Sequence, residues 1–394
     1  MGEEVKNLYV HFPFCRGKCT YCALYSRAGI SPAERNDYVK SLASSISSLF
    51  LLPTPARASA SRTRAAACAP FGARPSASGN LAATPQVHLA RGIPSRSPLS
   101  TIYFGGGSPA LCDLRPLFEA LRPLIDKNTE FSVELHPLDV TRETLQSLKD
   151  GGANRISMGL QSLNDGILKH MRRGYTFDEA ERAFHLTKEY FDNAGVDLII
   201  GYPGDSWGQS PRLKRLADWG LKHCSAYSLI LEENSALCKL TQNESNPVKL
   251  HSDEEIMDEL AIISHFLSDI GLQRYEISNY SIPGYECRHN MATWNGEDYY
   301  GLGMGAHGRI GLTRTRNWCG ENPETETVSE EFDFNERKLF SLRTSKGLDA
   351  GDCPHWIDTL DRFAKEGLLK KENLVYRLTE RGFEVCDSIL AELI

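Results

Sequence analysis

Three cysteines within eight residues, Cys15, Cys19 and Cys22, are the side chains best placed in this sequence to do chemistry. They are spaced C-x3-C-x2-C and follow a short β-like run, Leu8 to Phe12, that stops at Pro13. A thiolate group this tight can grip one metal centre from a single loop. On a [4Fe–4S] cube, three thiolates hold three irons and leave the fourth open to a further ligand. Zinc is the competing reading. A structural zinc site closes four ligands, and only His11 lies close enough in sequence to be a local fourth. Tyr21, wedged just before the third cysteine, favours the iron–sulfur centre. Three unrelated core cysteines are the plain alternative.

Further polar residues sit where strands are predicted to end. Phe104-Gly-Gly-Gly-Ser108-Pro109 closes one strand. Glycines there let backbone approach a ligand, although a tight turn asks for no more. Glu134 closes the next strand and Gln161 the one after. Arg173 follows Gln161 by twelve residues, and Asp197 lies on a later strand ahead of Gly201-Tyr-Pro-Gly. Singly, each is ordinarily a solvated loop end or a satisfied barrel residue. Together, polar groups at successive strand ends facing one mouth fit a buried polar ligand.

The elements that must position these residues alternate. Strands are predicted at Leu8–Phe12, Ser100–Phe104, Glu130–Leu135, Arg155–Gly159, Val196–Ile200 and Ala226–Leu231. Helical patterns fall at Ser31–Phe50, Leu114–Ile125, Arg142–Lys149, Thr176–Phe191 and Pro211–Leu221. Ser31-Pro32 with Glu34, and Thr176 with Glu179, are capping-box signals. Six strand–helix units imply an α/β fold with parallel pairing and right-handed crossovers. They are too few to close an eight-stranded barrel, so the expectation is an open, three-quarter β/α barrel. From about Asp253 the alternation stops. A helix, Glu254 to Ile270, leads to a Gly- and aromatic-rich stretch. The end of the chain reads as helix, two-stranded wing and helix, a smaller α+β module of winged-helix type. Lacking a basic excess, it reads as a packing lid rather than a DNA reader. The expected domains are 1–50 with 98–250 for the partial barrel, 251–330 for a linking region and 331–394 for the C-terminal module.

Residues 51–97 break the style of the chain. The block 51–100 holds six Arg, no Lys and no acidic residue, and is rich in Ala, Ser and Pro. Without periodic apolar residues to offset chain entropy it reads as a disordered surface insert. The alternative is an Arg-rich address or anion-binding arm, against which its internal position argues. The remaining residues carry a net charge of −13, and the whole chain −7, so wholesale nucleic-acid binding is not expected. Eleven cysteines with no disulfide-like pattern fit free thiols in a reducing compartment, the cytoplasm or an organelle matrix. Met1 to Asn7 reads as neither signal nor transit peptide. No apolar run reaches the roughly 18 residues a membrane span needs.

The cysteine motif, on the loop after a first strand, resembles that of the radical S-adenosylmethionine (SAM) enzymes. The preceding Tyr9-Val-His-Phe-Pro-Phe-Cys15 is similar to the branch holding the oxygen-independent coproporphyrinogen III oxidases and the HemW-type haem chaperones. The resemblance covers nearly the whole chain outside the insert. It implies a [4Fe–4S] cluster on Cys15, Cys19 and Cys22. It also implies a SAM pocket that takes in Tyr9, Tyr21, Gly106, Gly107, Ser108, Glu134, Gln161, Arg173 and Asp197. Ser108 stands where the family more often has Thr. His289-Asn290-Met-Ala-Thr293-Trp294 resembles a haem-associated H-N-x-x-Y-W motif, with Thr293 in place of Tyr. His289 is thereby a candidate haem ligand. An oxidase of this branch carries a further Cys where this chain has Leu24, and a longer segment ahead of the first strand. The resemblance therefore implies a chaperone that passes haem to acceptor proteins and draws on an electron donor for its cluster. Porphyrinogen decarboxylation is the alternative function, and a zinc-stabilised scaffold a second one.

Overall fold

Every strand of the barrel alternates apolar and polar residues, and the two sets face opposite sides of one sheet. The apolar set, with Val10, Phe12, Phe104, Phe131, Val133, Ile156, Val196 and Leu198 among it, is fully buried under the flanking helices. The polar set faces inward. The interior of a closed (β/α)8 barrel is filled by bulky branched side chains; a polar inner face belongs instead to a barrel that encloses a ligand space. Burying each outward Val, Leu or Phe contributes roughly 1.5–3 kcal/mol. A one-residue register slip would turn that whole set into the cavity, so the pairing is strongly specified.

The computed structural model describes residues 4–50, 93–94, 97–208, 210–243, 245, 247–317 and 323–394. The expectation of disorder for 51–97 therefore lies almost wholly outside the described residues. The barrel elements run β1 (Asn7–Phe12), α1 (Pro32–Phe50), β2 (Thr101–Gly106), α2 (Arg115–Leu121), β3 (Glu130–Leu135), α3 (Arg142–Asp150), β4 (Arg155–Gln161), α4 (Asp165–His170), α5 (Phe177–Tyr190), β5 (Asn193–Ile200), α6 (Arg212–Ala217) and β6 (His223–Ser228). After α7 (Ala236–Thr241) and α8 (Asp253–Asp269) come β7 (Gln273–Arg274), β8 (Asn279–Ser281), α9 (Arg288–Trp294), β9 (Tyr299–Leu302), β10 (His307–Ile310), β11 (Thr313–Arg316) and β12 (Glu324–Thr327). The sheet order is β7-β8-β6-β5-β4-β3-β2-β1-β9-β10-β11-β12.

The six expected strands pair in parallel in the expected order. A seventh parallel strand, β9, adds beside β1 with Gly301 opposite Tyr9. Its sequence, Tyr299-Tyr-Gly-Leu, has too few alternating residues to be read as a strand, and it lies in the stretch where the alternation was expected to stop. Gly301 is needed there: a Cβ would sit 1.8 Å from the His307 carbonyl oxygen on the neighbouring turn of chain. Antiparallel strands extend both ends of the sheet, and β7 and β12 do not pair with each other, so the sheet stays open among the described residues.

Local signals start α1 and α5 where the sequence placed them. Thr176 and Glu179 form a reciprocal capping box at α5, and Ser252 and Glu255 form another at α8. Chain-terminal helices α10 (Glu330–Leu342), α11 (Ile357–Lys365), α12 (Glu380–Glu384) and α13 (Cys386–Ala391) pack around a three-stranded antiparallel sheet, β13 (Leu348–Asp349), β14 (Leu369–Glu372) and β15 (Val375–Leu378). They enclose a core of their own built on Leu342, Leu360, Tyr376 and Ile389. No helix among the described residues is long and apolar enough to cross a membrane.

Candidate functional site

The carboxyl ends of the barrel strands open into one cavity of about 1170 Å³. That exceeds the roughly 300–1,000 Å³ of a pocket for one drug-sized ligand. All thirteen residues singled out from the sequence line it: the three cysteines with Tyr9, Tyr21, Gly106, Gly107, Ser108, Glu134, Gln161, Arg173, Asp197 and His289.

The cysteine loop is held on both sides. Thr20 bonds the Met171 carbonyl through its amide, at 3.3 Å, and lies 2.7 Å from the Tyr202 hydroxyl. Gly107 N–H donates to the Phe12 carbonyl at 2.6 Å, and Ser108 N–H to that of Phe14 at 2.7 Å. A Cβ on Gly107 would stand 2.3 Å from the Phe14 oxygen, and one on Gly106, whose φ is 106°, 2.5 Å from the His11 ring. Gly107 is thus pressed against the start of the cysteine loop and Gly106 against His11 of β1, a reason distinct from the close ligand approach expected of them. The Ser108 hydroxyl bonds Asp139, which also pairs with Arg16.

Burial pushes the Cys15 thiol up to about 11 and raises that of Cys22 as well. Arg173 opposes this: its guanidinium donates to Cys19 Sγ at 3.3 Å, Tyr21 Oη at 3.4 Å, the Gly159 carbonyl at 3.0 Å and Tyr175 Oη at 3.1 Å. A cation fixed beside a thiol favours the thiolate that a metal requires. Among the described residues no three ligand side chains converge closely enough to share one ion. His11 is also engaged at both ring nitrogens, 3.0 Å from the Tyr9 hydroxyl and 3.0 Å from the Tyr25 carbonyl oxygen. Among the described residues the zinc reading therefore lacks the local fourth ligand that His11 would have been. Three thiols around one cavity fit a polynuclear cluster, in which each iron takes its own thiolate.

The opposite wall is acidic. Tyr103 Oη donates to Glu134 at 2.9 Å, and the Gly106 N–H donates to its other oxygen at 3.0 Å. Burial, then the nearby Asp197, push the Glu134 carboxyl up to about 7. Asp197 accepts from Ser157 Oγ at 2.8 Å. Gln161 ends β4 at a bulge with φ 71°, a left-handed conformation uncommon for a residue bearing a Cβ. His289, 6% exposed, lines the cavity, its Nδ1 2.8 Å from Thr101 Oγ1, and its ring near Tyr9 and Tyr103. Burial, then Arg155, lower its pKa to about 3, so the imidazole is neutral. Glu130 accepts from the Arg288 and His289 amides at 3.0 and 3.2 Å and so fixes the start of α9.

Sequence reading missed the supporting shell: Tyr103, Ser157, Tyr175, Thr101 and Glu130. Strand parity held the signal for all of them but Tyr175, which lies off the strands between α4 and α5. Tyr103 sits opposite Tyr9 and Ser157 opposite Glu134, so the period of two that puts the named residues inside puts these inside too.

Residues 87–217 match the family described as the Radical SAM superfamily. The chain is 34% identical over 284 residues to the haem chaperone HemW of Synechocystis, covering 65% of this chain and 67% of that protein. The chain belongs to the HemW-like radical SAM family. HemW of Bacillus subtilis is 28% identical over 99% of this chain and its own full length, and that of Lactococcus lactis 25% identical over 100% of this chain and 98% of its own. The coproporphyrinogen III oxidase HemN of Escherichia coli shares the fold, with a TM-score of 0.74 at 19% identity, over 99% of this chain and 90% of that one. Membership of the radical SAM family implies SAM and a [4Fe–4S] cluster as cofactors, and the donor set at the cavity fits both.

Proposed function

We propose that this protein is a haem chaperone of the HemW type, which binds haem and transfers it to acceptor proteins. Cys15, Cys19 and Cys22 hold the cluster, and Tyr9, Tyr21, Gly106, Gly107, Ser108, Glu134, Gln161, Arg173 and Asp197 hold or frame SAM. When bound, the reduced cluster supplies an electron to the sulfonium, drawn from a donor protein. Within the chain, Arg173 compensates thiolate charge, and Glu134 and Asp197 offer carboxyl oxygens to the ribose hydroxyls of SAM. His289 is the haem ligand, through the nitrogen that Thr101 does not occupy. The observation that carries the reading is the seating of this neutral imidazole in the same cavity as the cysteine triad. Residues 331–394 form a packing lid beside the barrel of 1–50 and 98–250 and its 251–330 linking region. The compartment is the cytoplasm or its reducing equivalent in an organelle.

Anaerobically reconstituted protein is expected to be brown and to carry about four irons per chain; stoichiometric zinc without iron would restore the scaffold reading. Haem titration should give a saturable Soret change that His289→Ala loses. Because His289 is neutral far below the usual imidazole range, that affinity should stay level between about pH 8 and pH 5, where an exposed histidine would protonate. Turnover of coproporphyrinogen III with SAM and a reductant would overturn the chaperone reading in favour of decarboxylation.

A further inference from the structure

Helix α4 ends in a left-handed turn centred on Arg172, with φ 61°. The Arg172 amide bonds the Lys169 carbonyl at 3.0 Å, and the Arg173 amide that of Leu168 at 2.9 Å. This is a helix stop that glycine adopts at no steric cost and that arginine adopts only against a clash at its Cβ. The residue is nonetheless arginine, it is exposed, and it lines the cavity. Three other arginines share the lining, Arg16, Arg173 and Arg316, and none of them is free. Arg16 pairs with Asp139 at 2.5 Å, and Arg173 is spent on Cys19, Tyr21, Tyr175 and Gly159. Arg172 makes no ion pair or side-chain hydrogen bond among the described residues.

The same cavity collects large apolar side chains that the fold leaves open to solvent. Leu24 is 53% exposed, Leu138 40%, Tyr227 43% and Ile230 72%, and all four line it. They come from the cysteine loop, the turn after β3, the end of β6 and the segment beyond. Apolar surface gathered from separate segments at a cavity mouth marks a binding face. The same lining carries Arg172, a cation with no ion pair or side-chain hydrogen bond among the described residues, so the cavity matches a ligand with a broad apolar body and a carboxylate at its edge.

We infer that Arg172 binds a propionate of a tetrapyrrole whose ring lies across Leu24, Leu138, Tyr227 and Ile230 at the cavity mouth. The choice of a tetrapyrrole rests on the proposed function; the position and the role of Arg172 do not require an iron ligand. The probes are protoporphyrin IX, its dimethyl ester and haem, titrated into the full-length reconstituted protein. The metal-free porphyrin should bind about tenfold tighter than its ester, whose carboxylates are masked. Arg172→Gly should reduce that preference to about twofold or less, and Arg172→Lys should restore part of it. Glycine relieves the left-handed backbone, so the thermal midpoint of Arg172→Gly should not fall, and its SAM affinity should match that of the wild type.

Equal binding of acid and ester by the wild type, or an undiminished preference in Arg172→Gly, would overturn the inference. So would a loss of SAM affinity with porphyrin binding intact. Haem titration separates this from the proposed function. A His289-dependent Soret change with no dependence on Arg172 keeps the chaperone reading and discards the Arg172 contact. Arg172-dependent porphyrin binding with no Soret response to haem does the reverse. No saturable binding of any probe overturns both.

Discussion

Glu134 is held between Tyr103 and the Gly106 amide, close to a second carboxylate, Asp197. Its folded pKa, about 7, lies above the ordinary 4.5 because burial first, and Asp197 second, disfavour the charge. The folded protein therefore keeps this proton after the unfolded chain has released it. Below the ordinary value the group is protonated in both states. As pH rises from there through about 7, stability falls, and above that it levels off. In the unloaded protein, Glu134→Gln should flatten this slope and add about 1 kcal/mol at pH 8, since the side chain is only part-buried. Urea unfolding of both proteins at pH 5 and pH 8 measures it; equal slopes would remove the explanation. Residue types at strand ends were legible here, because polar residues recur at the ends of successive strands. The pairing of Glu134 with Tyr103 was not, because hydrogen bonds between neighbouring strands depend on register.

At the scale of elements, β2 and the cysteine loop act as one brace. The amides of Gly107 and Ser108 bond the Phe12 and Phe14 carbonyls, and the Gly107 Cα faces the Phe14 oxygen with no room for a methyl group. Gly107→Ala should displace the cysteine loop and at least halve the iron bound per chain after reconstitution, with the barrel still folded by circular dichroism. Full iron loading would show that the loop is held elsewhere. Helix caps tell a simpler story. Thr176 and Glu179 satisfy the first amides of α5 by local contacts alone, and Thr176→Ala should cost about 1 kcal/mol in a denaturant titration. Such signals lie within four residues of one another, which is why α5 and α1 could be read directly. Strand β9 could not be, because four residues carry little periodicity and its place beside β1 depends on chain nearly three hundred residues away.

Across the whole molecule, the far edge of the sheet is tied to the chain-terminal helices by one buried charge cluster. Asp333 on α10 accepts from Arg309 and Arg314 at 2.6 Å each and from Arg337 at 2.8 Å, and Asp333 and Arg309 are 8% and 4% exposed. Removing the carboxylate leaves the buried Arg309 guanidinium, and Arg314 beside it, with Glu336 as the remaining acidic partner in the cluster. Asp333→Asn should therefore cost about 3 kcal/mol, read from the urea midpoint. A loss below about 0.5 kcal/mol would mean that solvent screens the cluster.

The type and order of the barrel elements, the cysteine loop and the polar strand ends follow from the sequence, because periodicity, capping and motif spacing are local. Tertiary structure alone decided which of those residues meet. It added a seventh parallel strand, spent Gly107 on bracing the cysteine loop, and occupied both nitrogens of His11. It also put Arg172, unpartnered among the described residues, on one cavity lining with exposed apolar side chains from distant segments. Those outcomes depend on contacts made across the closed chain, where burial and register choose the partners and no spacing along the sequence records them.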